Sequence, residues 1–523
     1  MQNVRDLIRD RATTFPDRKY LIYKDRSYTY GELDQRSRQV AYGFSRIGVA
    51  KGDRVVVLLG NCPEFLFVWW ALLRLGAVMV PVNLKLSTAE IAYIISHSEA
   101  KVVVVGEESR KHYPRLRSDC VKVSHWIEVG QEDQTSGLGH FYTLSDDPED
   151  ADVPISLDDD ALILYTSGTT GFPKGVIHTH RSYLMTAESF ARTIHLDRHD
   201  RLMTANPLFH VNAQFYSCMG TLFAGATFVL AEKFSASRWW SWTRRYQVNK
   251  VVLLLALTTI LYQRPPASDD ADNPVELVVA GGVPAGCYTD FQRRFGVRLQ
   301  TLYSLTEAPL AVMSPPGVAC VDGAVGLPMC IGEDQKNEVR IVDDRLREVP
   351  PGNPGEIVIR NPATMKAYFK DPEATRKTLV DGWLRTGDRG TVDENGWIRF
   401  LGRAKDVIRK KGENISATQV EQVIERHSAV KEAAVVAIRT ADAAGEDEVM
   451  AFVVFKKDSA ANWPELIAHC EAELAAFKVP RFWRALAELP KNAMNRVVKA
   501  RLIEEGDPSA SDQTFDREGK ENL

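Results

Sequence analysis

Ala161-Leu-Ile-Leu-Tyr165 runs straight into Thr166-Ser-Gly-Thr-Thr-Gly-Phe-Pro-Lys-Gly175. The first five residues are apolar without alternation, which predicts a strand buried on both faces of a sheet. The loop that follows offers glycines that let backbone N–H groups turn toward an anion, four hydroxyl donors (Thr166, Ser167, Thr169, Thr170) and one cation, Lys174. That composition suits a triphosphate. The GxxxxGK[ST] spacing of a Walker loop is absent. Taken alone, the stretch also reads as a Ser/Thr/Gly surface turn, but its position directly after a buried strand argues against that.

The same texture extends in both directions. Strand-length apolar runs recur at Arg54–Leu59, Lys101–Val105, Thr227–Ala231, Val251–Ala256, Val275–Ala280 and Arg298–Tyr303. Helical patterns lie between them. Pro63 opens Glu64–Leu75, and Ser87-Thr-Ala-Glu90 has capping-box spacing before Ile91–Ile95. Strands alternating with helices predict an α/β fold. Around residues 337–403 the pattern turns to short strands split by Gly and Pro (Glu338–Val342, Glu356–Arg360, Trp397–Leu401). A compact unit of about 100 residues follows, a common domain size. It comprises helix Thr418–Arg426, strands Ala433–Ile438 and Met450–Phe455, helix Pro464–Phe477 and strand Phe482–Leu486. The expected organisation is a large N-terminal multi-subdomain α/β domain over 1–403, a small α+β domain over 404–505 with its boundary near Arg403–Asp406, and a disordered polar tail over 506–523.

At 523 residues the chain is too long for one ordinary core. A net charge of −4 from 65 basic and 69 acidic side chains gives no pull toward nucleic acid or an anionic membrane. The compact basic cluster Arg409-Lys410-Lys411 reads as a local surface feature. No apolar run is long enough to span a bilayer, and the N-terminus lacks the apolar core of a secretory signal. Seven scattered cysteines, none in a CxxC pair, indicate neither a disulfide framework nor a zinc site. A reducing cytoplasm is the expected compartment.

Five motifs in order then resemble the acyl-adenylate-forming superfamily of AMP-forming acyl-CoA synthetases, peptide-synthetase adenylation domains and beetle luciferases. They are the loop 165–175, Asn206-Pro-Leu-Phe-His-Val-Asn-Ala-Gln214, Tyr303-Ser-Leu-Thr-Glu307, Arg385-Thr-Gly-Asp388 and Gly402-Arg-Ala-Lys-Asp406. The resemblance covers nearly the whole chain. Asn61-Cys-Pro-Glu-Phe65, Gly76–Asn83 and Ala224–Leu230 look most like carnitine/crotonobetaine-type CoA ligases.

The resemblance implies ATP-dependent, AMP-forming activation of a small or medium carboxylic acid, with CoA as co-substrate. Neither nucleic acid nor membrane is an expected partner, and the oligomeric state is not fixed by the sequence. ATP would be held by Thr166, Ser167, Gly168, Thr169, Thr170 and Lys174 on the phosphates, by the backbone at Gly281 and Gly282, and by Tyr303 on adenine. Glu307 would hold Mg²⁺, Thr306 would donate to the α-phosphate, Asp388 would accept the ribose hydroxyls, and Arg403 would reach the ribose or phosphates. His210, Val211, Gly282 and Ser304 would line the acyl pocket, with part of Val251–Leu261. Each has a plainer reading: Gly281-Gly282 and Thr-Gly-Asp as turns, Tyr303 as core, Glu307 as a solvated charge, His210 as structural. His178-Thr-His180 is read as structural.

Two positions depart from the family pattern. Ser304 stands where Gly usually follows the Tyr, which predicts a smaller or more polar pocket. In Pro490-Lys-Asn-Ala-Met-Asn-Arg-Val-Val-Lys499 the family's terminal Gly-Lys is replaced by Asn495-Arg496. Arg496 is then the expected catalytic cation, with Lys499 as substitute, and a planar guanidinium is not equivalent to an ammonium. This departure keeps two rivals open. One is AMP-forming activation with a non-CoA acceptor (an amine, a carrier protein, or nitrite activated for diazotisation of an aryl amine), and the other is a nucleotide-binding protein without turnover.

The resemblance also implies a mobile C-terminal lid that rotates about Lys405 between adenylation and thioester formation. Lys405→Pro fixes φ and removes a backbone donor, so it should spare adenylation and block the second half-reaction. Equal loss of both half-reactions in single-turnover assays would count against the hinge.

Overall fold

A computed structural model describes residues 2–130, 137–166, 173–282, 287–318, 323–330, 337–403, 407–410, 413–439, 447–457, 459, 461–474, 476, 478–492, 495–506 and 514–517. The chain forms two compact units, residues 1–339 with 358–385, and residues 340–357 with 386–523.

The first unit contains two sheets. In one, six neighbouring strands run parallel: Lys19–Tyr23, Thr227–Leu230, Arg201–Thr204, Lys250–Leu254, Leu277–Gly281 and Arg298–Tyr303. Antiparallel strands Arg26–Thr29 and Val312–Met313 pair with the two ends of this run. The other sheet has Ala367–Tyr368, Lys174–Thr179, Asp160–Thr166, Val78–Pro81, Arg54–Leu58, Val102–Val105 and His125–Glu128 in that order. The expected α/β class is borne out.

Side-chain alternation explains how both sheets are covered. From strand Arg54–Leu58, Val55 and Val57 enter one core while Val56 and Leu58 enter another. From Lys250–Leu254, Val252 joins the first core while Val251 and Leu253 turn to a third. The shared core therefore lies between the sheets, filled by helices Val4–Thr14, Tyr30–Arg46, Pro63–Leu75, His180–Thr193 and Met219–Ala224. Helices Thr88–His97 and Tyr113–Asp119 cover the outer face of one sheet, and Trp239–Tyr246, Leu255–Tyr262 and Tyr288–Phe295 that of the other. Helix Pro63–Leu75 (PEFLFVWWALLRL) is apolar all round because it is buried all round. Pro63 opens it, and Gly76 at φ 64 closes it in the left-handed conformation. The capping box at Ser87–Glu90 forms with both bonds.

Arg74 is the buried charge in that helix. Its side chain is fully buried and bonds both oxygens of Asp150 at 2.7 Å, Asp34, and the Ser37 hydroxyl at 3.0 Å. Burial alone would push Asp150 up, but Arg74 and Arg9 more than reverse it and hold its carboxyl below the usual range.

The second unit folds on a four-stranded sheet, Val430–Arg439, Asp447–Phe455, Phe482–Ala485 and Thr514–Asp516. Helices Ala417–Glu425 and Trp463–Glu473 cover one face, and Leu502 and Leu489 pack on the other. The division at Arg385–Thr386 precedes the boundary expected near Arg403–Asp406. Strand Ile398–Arg403 is tied to helix Ala417–Glu425: Ser416 donates its hydroxyl to the Leu401 carbonyl, and a Cβ on Gly402 (φ 115) would lie 2.9 Å from the Thr418 hydroxyl oxygen. Residues 404–406, including the expected hinge Lys405, lie outside the described residues.

Two expectations are corrected. The tail is not wholly disordered, because Thr514–Asp516 pairs antiparallel with Phe482–Ala485. Phe515 stacks on Trp463, and Asp516 takes Arg481 through two bonds of 3.1 Å, contacts too distant in sequence to leave a local pattern. Lys410, read as part of a surface cluster, is buried and paired with buried Glu448 at 2.9 Å.

Arg74→Ala should cost about 3–5 kcal/mol, since it leaves buried carboxylates without their guanidinium. The shift of the urea midpoint measures this. A loss below about 1 kcal/mol, the scale of a surface pair, would mean that Arg9 on Asp150 and Arg38 on Asp34 suffice to hold the two carboxylates.

Candidate active site

The parallel strands of the first unit end on one rim. Register pairs Leu254 with Gly281, Ala280 with Thr301, and Val252 with Thr204, so their carboxyl ends lie side by side. Open parallel sheets bind ligands outside these ends. The segments singled out in the sequence follow directly: Asn206–Gln214 after Thr204, helix Leu255–Tyr262 after Leu254, Gly282 after Gly281, and Ser304–Glu307 after Tyr303.

Local bonds fix each segment. Asn61 donates to the Asn206 carbonyl at 3.1 Å and accepts from the Leu208 N–H at 2.8 Å, while Gln214 donates to the Leu208 carbonyl at 2.6 Å. His210 is half-buried and packs edge-on to Phe209, and Val211 is buried. Gly282 has φ 114, and an added Cβ would sit 3.1 Å from the Leu255 Cβ, so both backbone and space require glycine. The segment Asn212–Cys218 is π-helical, a local geometry enriched at functional sites. From it the buried Tyr216 donates its hydroxyl to the Pro309 carbonyl; burial pushes its phenol up, and the nearby Ser304 side chain works against that shift. The departure at Ser304 thus places a hydroxyl close to Tyr216.

The ends of the phosphate-type loop also lie here. Thr166 and Lys174 face each other across the antiparallel pair, with the Thr166 hydroxyl 3.5 Å from the Lys174 carbonyl. Ser167, Gly168, Thr169 and Thr170 lie outside the described residues. Strand Ala367–Tyr368 adds to the edge of Lys174–Thr179, with Tyr368 opposite Val176. The Lys174 ammonium sits over the Tyr368 ring, 5.1 Å from its centroid, and the Tyr368 hydroxyl donates to Glu307 Oε1 at 2.8 Å. Backbone bonds hold the Thr306–Glu307 turn: the Met365 N–H donates to the Glu307 carbonyl at 2.8 Å, and His178 Nε2 to the Thr306 carbonyl at 2.7 Å. Burial drives the His178 imidazole down to about 4, so it is neutral at neutral pH and donates from Nε2. Tyr303, Ser304, Thr306 and Glu307 are all half-exposed, as ligand-facing groups must be.

The first unit therefore gathers Thr166, Lys174, His210, Val211, Gly281, Gly282, Tyr303, Ser304, Thr306 and Glu307 along adjoining strand ends. Asp388, Arg403, Arg496 and Lys499 belong to the second unit. There Asp388 and Arg403 are directly opposed in the hairpin register. Asp388 is buried, and its N–H donates at 3.0 Å to the Thr386 hydroxyl, which donates at 2.6 Å to the Ile357 carbonyl. Arg496 is exposed at the end of a tight turn in which the Asn492 amide oxygen accepts its N–H at 3.0 Å. Asn495 takes φ 61, a left-handed conformation that Gly and Asn tolerate. Lys499 pairs with Glu421 at 2.7 Å.

Sequence reasoning missed Tyr368, which stands in a two-residue strand without periodicity, and the part His178 plays in holding Thr306. Neither contact has a local signal, because each bridges more than 60 residues of chain.

Comparison with known proteins agrees with this layout. The AMP-binding enzyme family matches residues 8–369, and the AMP-binding enzyme C-terminal domain matches residues 419–495. The crotonobetaine/carnitine–CoA ligase of Salmonella agona (strain SL483) is 33% identical over 517 residues, covering 96% of this chain and 99% of the relative. The o-succinylbenzoate coenzyme A synthetase of Bacillus subtilis, solved with AMP, superposes with a TM-score of 0.83 at 28% identity, covering 96% of this chain and 98% of that one. ATP-bound MatB from Rhodopseudomonas palustris gives a TM-score of 0.87 at 26% identity, covering 98% and 100%. The likeness to carnitine/crotonobetaine-type ligases read from the sequence is borne out. The chain belongs to the AMP-binding enzyme family and is an AMP-forming ligase of the acyl-CoA synthetase type.

Proposed function

We propose that this enzyme activates a small or compact carboxylic acid as its acyl-adenylate and transfers the acyl group to coenzyme A. The observation that carries this reading is the cation Lys174 and the carboxylate Glu307 held by one tyrosine beside a rim of parallel strand ends. A carboxylate oxygen attacks the α-phosphorus of ATP, the bond to the bridging oxygen breaks, and pyrophosphate leaves. Two anions meet in that step, so charge neutralisation is the main task of the site. Lys174 is assigned the outer phosphates, Thr306 a hydrogen bond to the α-phosphate, and Asp388 the ribose hydroxyls. Tyr303 and the Gly281–Gly282 backbone are assigned the adenine. In the second step the CoA sulfur, having lost its proton, attacks the acyl carbon and AMP departs.

Among the described residues no three His, Cys, Asp or Glu side chains converge as a metal cage. Glu307 is instead a single hard carboxylate, which fits Mg²⁺ arriving on a triphosphate with most of its waters. When bound, Mg²⁺ would supply the remaining neutralisation of the phosphates. Ser304 and Tyr216 put two hydroxyls at the end of the strand Arg298–Tyr303, which favours a short or polar acid over a long acyl chain. The relatives' names point to carnitine and crotonobetaine as the first acids to test. No helix among the described residues is long and apolar enough to cross a membrane.

With its own acid and CoA, the enzyme should release AMP and pyrophosphate and form a thioester. A panel of small acids that includes carnitine and crotonobetaine, with and without CoA, tests this. Acid-dependent AMP without thioester would instead support a non-CoA acceptor. Asp388→Ala should weaken ATP binding by about 1–3 kcal/mol, the usual loss for a charge-assisted hydrogen-bond partner. An unchanged affinity would remove Asp388 from the nucleotide site.

A second test addresses Arg496. Asn495 takes the left-handed conformation that a glycine would otherwise supply, and Arg496 follows it directly. The reading assigns Arg496 to the substrate carboxylate, with Lys499 engaged by Glu421. Arg496→Lys should retain adenylation, and Arg496→Ala should lower it about 10-fold or more, the scale of a lost charge-assisted contact. Wild-type rates in Arg496→Ala would transfer the role to Lys499. A native activity lost in Arg496→Lys would instead favour an anion other than a carboxylate.

A further inference from the structure

We propose that Tyr368 is a positioning residue that sets the metal carboxylate and the phosphate-loop lysine together, through interactions that leave both at full charge. The inference rests on the reading of Glu307 and Lys174 as metal- and phosphate-binding groups.

Tyr368 is buried, and its backbone is fixed on three sides. Its N–H donates to the Thr375 hydroxyl at 3.0 Å, the Phe369 N–H donates to the Gly175 carbonyl at 2.7 Å, and Ala367 pairs with Ile177. Tyr368 stands opposite Val176, and Lys174 lies two residues back on the same strand, on the same face as Val176. Diagonal neighbours of this kind are within reach of a long side chain on an aromatic ring. The ring then takes the ammonium at 5.1 Å while the hydroxyl takes Glu307 Oε1 at 2.8 Å.

The chemistry of these two contacts matters more than their strength. A lysine or arginine in place of Tyr368 would orient Glu307 equally well, but it would compete with Mg²⁺ for the carboxylate. Among the described residues no ion pair involves Glu307 or Lys174. A neutral O–H fixes one carboxylate oxygen and leaves the negative charge for the metal. An aromatic face holds an ammonium by its quadrupole and leaves the positive charge for phosphate. One side chain thus prepares an anion and a cation for the same nucleotide.

The test uses the full-length enzyme without acid substrate, so that binding is read without turnover. ATP binding is followed by calorimetry as a function of Mg²⁺. Tyr368→Phe keeps the ring and removes the hydroxyl. It should raise the Mg²⁺ concentration for half-maximal enhancement of ATP binding about 10-fold, the usual effect of losing a hydrogen bond behind a metal ligand. ATP binding without Mg²⁺ should stay as in the wild type. Tyr368→Leu should show the same Mg²⁺ shift and also weaken Mg²⁺-free ATP binding by a factor of about 2–5, as the cation–π contact is lost. A purely packing role would lower the melting midpoint of both variants without moving the Mg²⁺ curve. Tyr368→Phe alone decides the proposal: an unmoved Mg²⁺ curve overturns it. Glu307→Gln separates the two levels. If it shifts the Mg²⁺ curve while Tyr368→Phe does not, only the role of Tyr368 fails. If Glu307→Gln leaves the curve in place, the metal assignment itself fails.

Discussion

Burial of parallel strands on both faces is the constraint on which the nucleotide-facing unit depends. A parallel strand must be followed by a crossover, and a strand buried on both faces needs a helix on each side. The strands Arg201–Thr204, Lys250–Leu254, Leu277–Gly281 and Arg298–Tyr303 meet both demands, so their carboxyl ends point the same way. Just beyond those ends the backbone leaves the parallel ladder, where open sheets of this kind bind ligands. The four segments that carry candidate chemistry hang from this rim because the topology leaves nowhere else for them to start.

This constraint is also why so much of the fold was legible. Runs such as Val251–Ala256 and Val102–Val105 show up because two-sided burial removes polar residues altogether. The seven expected strands from Arg54–Leu59 to Arg298–Tyr303 lie within two residues of observed ones. Lys174–Thr179 and Arg201–Thr204, by contrast, were not marked, and Val430–Arg439 and Asp447–Phe455 each begin three residues before their expected starts. What escaped were features set by distant contacts. Thr514–Asp516 becomes a strand through Trp463 and Arg481, and Lys410 is buried by Glu448 across a sheet. Tyr368 acquires meaning only when Glu307, 61 residues away, folds against it. A motif search finds groups that meet a ligand, because their spacing follows the ligand's shape. Groups that meet those groups have no such spacing.

The molecule treats its charges in two ways. In the cores, opposite charges cancel: Arg74 with Asp34 and Asp150, Lys250 with Asp200 at 2.6 Å, Lys410 with Glu448. Burial without cancellation would cost several kcal/mol per ion, so each is paired. Lys174 and Glu307 are held differently, one on a ring face and one by a hydroxyl. Both are left partly or fully exposed, which suits the proposed binding of an incoming phosphate and its metal. A site that neutralised itself would have to break its own ion pair before binding anything.

The same distinction separates the two residues that depart from the family pattern near the C-terminus. Asn495 sits at φ 61, where L-residues with a Cβ ordinarily lose about 1–2 kcal/mol and where Asn is among the few tolerated alternatives to Gly. Asn at this position is compatible with the conformation a Gly would favour, and the Asn492 side chain accepts the Arg496 N–H. Arg496 is another matter, because its position makes no demand on the backbone that only one residue can meet. If Arg496 takes the role proposed for it, a planar five-donor fork in place of a flexible ammonium would alter which anion is recognised and how. Under the proposed reading, the specificity of this enzyme is to be sought in the Arg496 guanidinium and in the neighbouring hydroxyls of Ser304 and Tyr216.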